Sequence, residues 1–169
     1  MPLSLRPMTA SDLAHIDRLQ HDAYRSEFRE DLAVYGDKLA FFPRGCWIGC
    51  RGDVEVGYLF SHPFDAQHPP ALNEVLSIDL ARCDAYFVHD VVVHSSCRGV
   101  GLASLFVEQA LQIARERSYP LIGLVAVQGA RDYWARHGFR AVEDQPAISQ
   151  SLQQSYGPDA RYMARNTDL

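Results

Sequence analysis

The chain has 169 residues, 47% hydrophobic and 22% charged, with a formal net charge of -5. That length suits one domain, or one with a modest insertion, and would cramp two full ones, and the composition excludes a disordered or fibrous chain. The acid excess speaks against a broad nucleic-acid-binding surface, and no apolar run approaches a membrane span.

Leu3 and Leu5 alternate with polar neighbours up to Pro7, which predicts a short first strand. Thr9 and Asp12 stand at capping-box spacing, with Asp in place of the usual Glu or Gln, ahead of Leu13, Ile16, Leu19 and Ala23 at helical period. A second helix is predicted over 28–42 through Leu32, Tyr35 and Leu39, ended by Pro43 and Gly45. Residues 46–60 read as a hairpin around Arg51-Gly52-Asp53, slightly weakened by Gly49 and Gly57. Between His62 and Asp84, Pro63 and the Pro69-Pro70 pair break the pattern, and 72–80 fits neither helix nor strand; a loop this long is usually functional or mobile.

The run YFVHDVVVH at 86–94 is aromatic and β-branched, the pattern of a central strand buried on both faces. From Arg98 the pattern turns helical, with Leu102, Phe106, Ala110 and Ile113 on one face and Pro120 beyond the end. A strand at 121–127, a short helix at 130–137 ended by Gly138, a strand beginning at 139–142 and a turn at 156–158 into a last strand complete the order. Hairpin and helical crossovers together predict a mixed sheet covered by helices, in a single domain over 1–169. The amino terminus shows no basic start followed by an apolar core, so the protein reads as cytoplasmic. Cys46, Cys50, Cys83 and Cys97 form no CxxC pair, and they read as reduced thiols with no metal site.

The segment richest in chemistry is Arg98-Gly99-Val100-Gly101-Leu102-Ala103-Ser104, which follows the central strand and opens a helix. Glycines admit close backbone approach, and the first helical amides with the positive dipole end favour an anion, to which Arg98 adds a fixed charge. A strand-to-helix turn with no ligand accounts for the same residues. A P-loop is excluded because no Gly-Lys-Ser/Thr triplet is present, and a dinucleotide fingerprint lacks its last glycine at Ser104.

Arg98-x-x-Gly101-x-Ala103 is similar to the Q/R-x-x-G-x-G/A signature of the GNAT superfamily of N-acetyltransferases, and Ala130-x-x-x-Trp134-x-x-x-Gly138-Phe139 resembles that family's A-x-x-x-Y-x-x-x-G-F segment. The resemblance covers 86–142 closely, and the rest of the chain through its element order. It implies an α/β (α+β) GNAT fold: a mixed, mostly antiparallel sheet of roughly six to seven strands, splayed centrally and flanked by about four helices. It also implies acetyl-CoA as co-substrate, its pyrophosphate on the amides of Gly99, Val100, Gly101, Leu102, Ala103 and Ser104 beside Arg98. The backbone of Val91, Val92 and Val93 would pair with pantetheine, and Trp134 would border the same cleft. As side chains, the three valines read as core.

Acetyl transfer to an amine needs a base for the nucleophile and an acid for the departing thiolate. His89 is the candidate base, since histidine titrates near neutrality and the arylalkylamine members of the family carry a histidine at this spacing; a core histidine bonded to its neighbours is the alternative. Asp90 falls on the opposite face of a regular strand, so a His-Asp relay would need a bulge, and loop amides or a buried cation are its expected partners. His94 is expected at the solvated strand end. Trp134 stands where the family has a tyrosine near the CoA sulfur, and an indole is no practical proton donor. Tyr133 or water is therefore the expected acid. Cys97 is read as a bystander.

The expected activity is direct acetyl transfer to a primary amine of a small molecule or peptide, with Glu27, Glu30, Asp31, Glu74 and Asp79 available to attract a cationic acceptor. The alternative is a non-enzymatic acyl-CoA-binding or regulatory module. No nucleic-acid or membrane partner is expected, and a homodimer is among the assemblies allowed.

Overall fold

The computed structural model describes residues 1–168. The strands are β1 (Leu3–Pro7), β2 (Cys46–Arg51), β3 (Val54–Phe64), β4 (Ala85–Val93), β5 (Leu121–Ala126), β6 (Arg140–Ala141) and β7 (Arg161–Asn166). The α-helices are α1 (Leu13–Ala23), α2 (Leu32–Phe41), α3 (Leu102–Glu116), α4 (Arg131–Arg136) and α5 (Pro146–Tyr156). All seven strands join one sheet in the order β1-β2-β3-β4-β5-β7-β6. Every pairing is antiparallel except β4 with β5, where α3 supplies the crossover that a parallel pair requires.

Three apolar clusters cover the sheet. On one face α3 sets Leu102, Phe106, Ala110 and Leu111 against Val88, Ile122 and Leu124. On the other, Ile16 and Leu19 of α1 and Tyr35 and Leu39 of α2 pack on Ile48, Tyr58, Phe60 and Val92. Beyond them, Leu152 and Tyr156 of α5 meet Phe64, Phe87 and Tyr162. The fifth helix covers a stretch to which the sequence pattern assigned no element: of its eleven residues only Leu152 and Tyr156 are buried. So sparse an apolar stripe carries little periodic signal.

Other departures from the expected elements have local causes. The helix expected over 28–42 begins only at Leu32, because the Gln20 side chain holds the backbone of Glu30 out of helical bonding, accepting from its N–H at 3.0 Å and donating to its carbonyl at 2.8 Å. β3 runs on to Phe64 through Pro63; β2 has already ended opposite Phe60, so the missing proline donor leaves no ladder bond unmade on that side. α3 starts at Leu102 rather than Arg98, after a single 3-10 turn over Ser95–Cys97.

Gly49 and Gly57, expected to weaken the hairpin, instead seat α3. They are directly paired across β2 and β3, and a Cβ on either would meet the side chains of both Leu102 and Phe106. At Gly57 it would also come within 2.5 Å of the Val92 carbonyl oxygen, which is backbone and cannot yield cheaply. Gly57→Ala is therefore expected to destabilise the protein by about 1–3 kcal/mol, read as a lower urea midpoint with an unchanged m-value.

Candidate functional site

β4 and β5 pair only from Tyr86↔Ile122 to Val88↔Leu124. β4 then stays with β3 as far as Gly57↔Val93, and β5 stays with β7 as far as Ala126↔Arg161. The two strands thus part in mid-sheet, and the gap opens into a cavity of about 680 Å³.

The turn before α3 stands at one end of this cleft. Gly99 and Gly101 adopt φ of +77° and +97°, and a Cβ on either would point into open space. Backbone conformation, not crowding, is therefore what calls for glycine there. No side chain caps α3, so the amides of Leu102, Ala103 and Ser104 have no partner within the helix; the first helical bond runs from the Leu105 N–H to the Gly101 carbonyl at 3.2 Å. Open backbone with unpaired amides and a helix dipole behind it fits an anion such as a diphosphate. Arg98, Gly99, Gly101, Leu102, Ala103 and Ser104 all line the cleft, whereas Val100 is 47% exposed and lies outside the lining.

Val91, Val92 and Val93 border the cleft, but Val92 is buried under α1 and α2, and Val91 and Val93 pack against the α3 cluster. Any cleft role of these residues falls to their backbone, along the stretch of β4 that β5 no longer covers.

The floor depends on a bulge. Phe60 pairs with Asp90 and Ser61 with Val88, so His89 is an extra residue in β4. Alternation resets there, and His89 and Asp90 both project toward the α1/α2 side instead of to opposite faces. Asp90 meets neither loop amides nor a cation, contrary to expectation. Its carboxylate accepts from the hydroxyls of Tyr24, Tyr35 and Tyr58 at 2.6, 2.7 and 2.8 Å. Burial pushes its pKa up, and the three hydroxyl donors pull against that rise.

His89 Nε2 lies 2.7 Å from Glu30 Oε1, while Glu30 Oε2 accepts from Lys38 Nζ at 3.0 Å and from the Asn73 N–H at 2.8 Å. The side chains of Glu30, Lys38 and His89 are each no more than 2% exposed. Burial works to raise the Glu30 pKa, but His89 and then Lys38 outweigh it and bring the carboxyl down to about 2. Glu30 is therefore not free to attract an acceptor. Asp31 accepts from the Asn73 side chain, Glu74 from the Ala71 N–H, and Asp79 caps the turn at 80–82. Of the five acidic residues expected near an acceptor, Glu27 lines a groove that shares Val127 and Gln128 with the cleft.

Tyr133 and Trp134 both line the cleft, their rings edge to face at 5.2 Å. Burial raises the Tyr133 pKa, so its hydroxyl keeps its proton at neutral pH. His94 is partly exposed and accepts from the Ser96 N–H, as expected of a strand end. Cys97 is buried.

Tyr24, at the end of α1, and Gln128 line the cleft without having been foreseen. Glu30 and Lys38 form part of its floor network. Lys38 did carry a signal, since it shares the buried stripe of α2 with Val34, Tyr35 and Leu39, and a lysine on an apolar stripe needs a buried partner. Tyr24 carried none, because its role depends on a strand 66 residues away.

A protein-family model described as the Acetyltransferase (GNAT) family matches residues 13–139. The chain belongs to this family. No curated protein matches it. Among solved structures, the chain is similar to Ard1 from Thermoplasma volcanium, at TM-score 0.74 and 14% identity with 98% of each chain covered. It is also similar to Arabidopsis thaliana Naa50 in complex with the bisubstrate analogue CoA-Ac-MVNAL, at TM-score 0.68 and 14% identity, covering 98% of this chain and 99% of that one. The GphF GNAT-like decarboxylase in complex with isobutyryl-CoA matches at TM-score 0.71 and 15% identity, covering 97% of this chain and 99% of that one. Likeness at these identities establishes a shared fold, here the mixed, mostly antiparallel GNAT sheet. The co-substrate of this acetyltransferase family is acetyl-CoA, and the uncapped amides at the start of α3 suit its diphosphate. Among the described residues, no helix of this GNAT protein is long and apolar enough to cross a membrane.

The Glu30 network has a pH signature. The folded pKa of Glu30 lies below its ordinary value of 4.5, so its contribution to stability is complete above that pH and is lost as pH falls toward about 2. Denaturation midpoints measured across this window are expected to fall less steeply in a Glu30→Gln/Lys38→Met variant than in the wild-type protein.

Proposed function

We propose that the protein is an N-acetyltransferase that moves the acetyl group of acetyl-CoA to a primary amine of a small molecule or peptide by direct attack. The observation that carries this reading is the parted pair β4 and β5, with the uncapped start of α3 at one end of the gap and two titratable side chains, His89 and Tyr133, along it.

When bound, acetyl-CoA supplies a thioester: the amine lone pair forms the new C–N bond to the acetyl carbon, the C–S bond breaks, and CoA leaves as a thiolate. The amides of Gly99, Gly101, Leu102, Ala103 and Ser104 and the Arg98 guanidinium hold the diphosphate end. The uncovered backbone of Val91 to Val93 offers pairing groups to an extended arm, in the manner of an added strand. His89 takes the proton released by the amine. Tyr133, which keeps its hydroxyl proton at neutral pH, or water returns a proton to the thiolate. Trp134 walls the cleft beside Tyr133.

The acceptor enters through the groove that shares Val127 and Gln128 with the cleft, where Asp159 supplies negative charge and Glu27 is paired with Arg25 at 3.3 Å. Support for a peptide acceptor comes from the likeness to Naa50 held with a peptide-bearing bisubstrate analogue.

A second reading, an acyl-CoA-binding or regulatory module without turnover, is favoured by Trp134 at the position of the family tyrosine. Calorimetry with acetyl-CoA and turnover on an amine panel separate the two. One-site binding is expected, weakened at least about tenfold (~1.4 kcal/mol) by Gly101→Trp, which fills the open cradle. His89→Gln is expected to keep acetyl-CoA binding and lower kcat by about a hundredfold. Binding with no turnover on any amine would establish the module reading, and no binding at millimolar ligand would sink both.

A further inference from the structure

We propose that Glu30 is the positioning residue of the catalytic histidine: it keeps the proton of His89 on Nε2, so that Nδ1 is the atom that receives the proton of the acceptor amine. The proposal rests on the N-acetyltransferase reading above and deepens it.

A carboxylate only accepts hydrogen bonds, so the contact between Glu30 Oε1 and His89 Nε2 at 2.7 Å places a hydrogen on Nε2. In the neutral ring Nδ1 then carries the lone pair. That atom is buried and has no hydrogen-bond partner, which makes it an orphaned polar atom calling for an explanation. A proton-accepting role supplies one.

Glu30 cannot easily turn away. Its second oxygen is held by Lys38 Nζ at 3.0 Å and the Asn73 N–H at 2.8 Å, and Gln20 grips its backbone on both sides. Lys38 is in turn bonded to the Glu74 carbonyl at 3.2 Å. The arrangement is a base oriented by a third group, with a cation fixing the orienter.

The charged and titratable groups around His89 come from four further elements. The segment between α1 and α2 brings Glu30, α2 brings Lys38, β3 brings His62, and α5 brings Tyr156, which feels the Glu30 charge. On β4 itself, Asp90 is occupied by three tyrosines. The His62 ring, 5.5 Å from that of His89, donates from Nδ1 to the Pro63 carbonyl at 2.8 Å. Burial first, and His89 second, bring its pKa down to about 3, so His62 stays neutral at working pH. The Glu30 carboxylate is therefore the charged group bonded directly to His89. As the C–N bond forms, the amine proton passes to the Nδ1 lone pair, and the resulting imidazolium is stabilised across Nε2–H by Glu30. No electrons are exchanged with any other group.

Two measurements test this. Nitrogen-15 NMR of the imidazoles in the intact wild-type protein is expected to show neutral His89 with its proton on Nε2 and Nδ1 bare; the opposite tautomer would overturn the proposal without touching the N-acetyltransferase reading. Second, Glu30→Gln is expected to move the ascending limb of the pH profile of kcat/KM to lower pH and to lower kcat by about 10–100-fold, with acetyl-CoA affinity retained. Because this variant leaves Lys38 buried without its carboxylate, Glu30→Gln/Lys38→Met is measured beside it, with the same direction expected. A limb that stays in place in a folded variant overturns the clamp. Full activity in His89→Gln overturns it by a different route, through the base assignment itself.

Discussion

One extra residue in β4 governs the rest of the site. In a regular strand, His89 and Asp90 would face opposite sides of the sheet, and one of two polar side chains would be driven into the apolar layer under α3. The bulge opposite Phe60 and Ser61 turns both toward α1 and α2 instead. The amino-terminal helices must then supply partners for two buried polar groups, and they do: Tyr24 and Tyr35 with Tyr58 for Asp90, and Glu30 with Lys38 for His89. The same irregularity lies just where β4 loses β5, so that the break in the ladder and the polar floor adjoin along the strand.

The two polar clusters differ in character. Asp90 is satisfied by neutral hydroxyls in a fully enclosed setting, an arrangement that ties α1, α2, β3 and β4 together and holds the floor rigid. The His89–Glu30–Lys38 series combines an imidazole, a carboxylate and an ammonium, with one ring nitrogen left over. Buried charge of that kind gives little net stability compared with apolar packing, which is one reason to look for its value in the chemistry of the cleft.

The α3 end of the cleft follows a different logic. It uses backbone rather than side chains: two glycines with positive φ, an uncapped helix start and a strand edge left bare. Backbone sites of this kind tolerate side-chain change around them, in keeping with a fold shared at identities near 14%.

Much of this was legible in the chain alone. Apolar periodicity located α1, α3 and the central strands, and Arg98, Gly101 and Ala103 marked the uncapped turn that opens α3, because a helix start and its glycines are local in sequence. His89 and Tyr133 were legible as candidates by residue type and spacing. What the sequence could not show was any pairing across distance. The bulge that redirects Asp90 depends on the register between β3 and β4; Glu30 becomes a partner of His89 only through a segment that Gln20 holds out of the helix; and α5 is placed by two buried side chains too sparse to form a pattern. Local conformation is encoded by neighbours within a few residues, whereas the protonation and orientation of buried groups are set by what the fold brings against them.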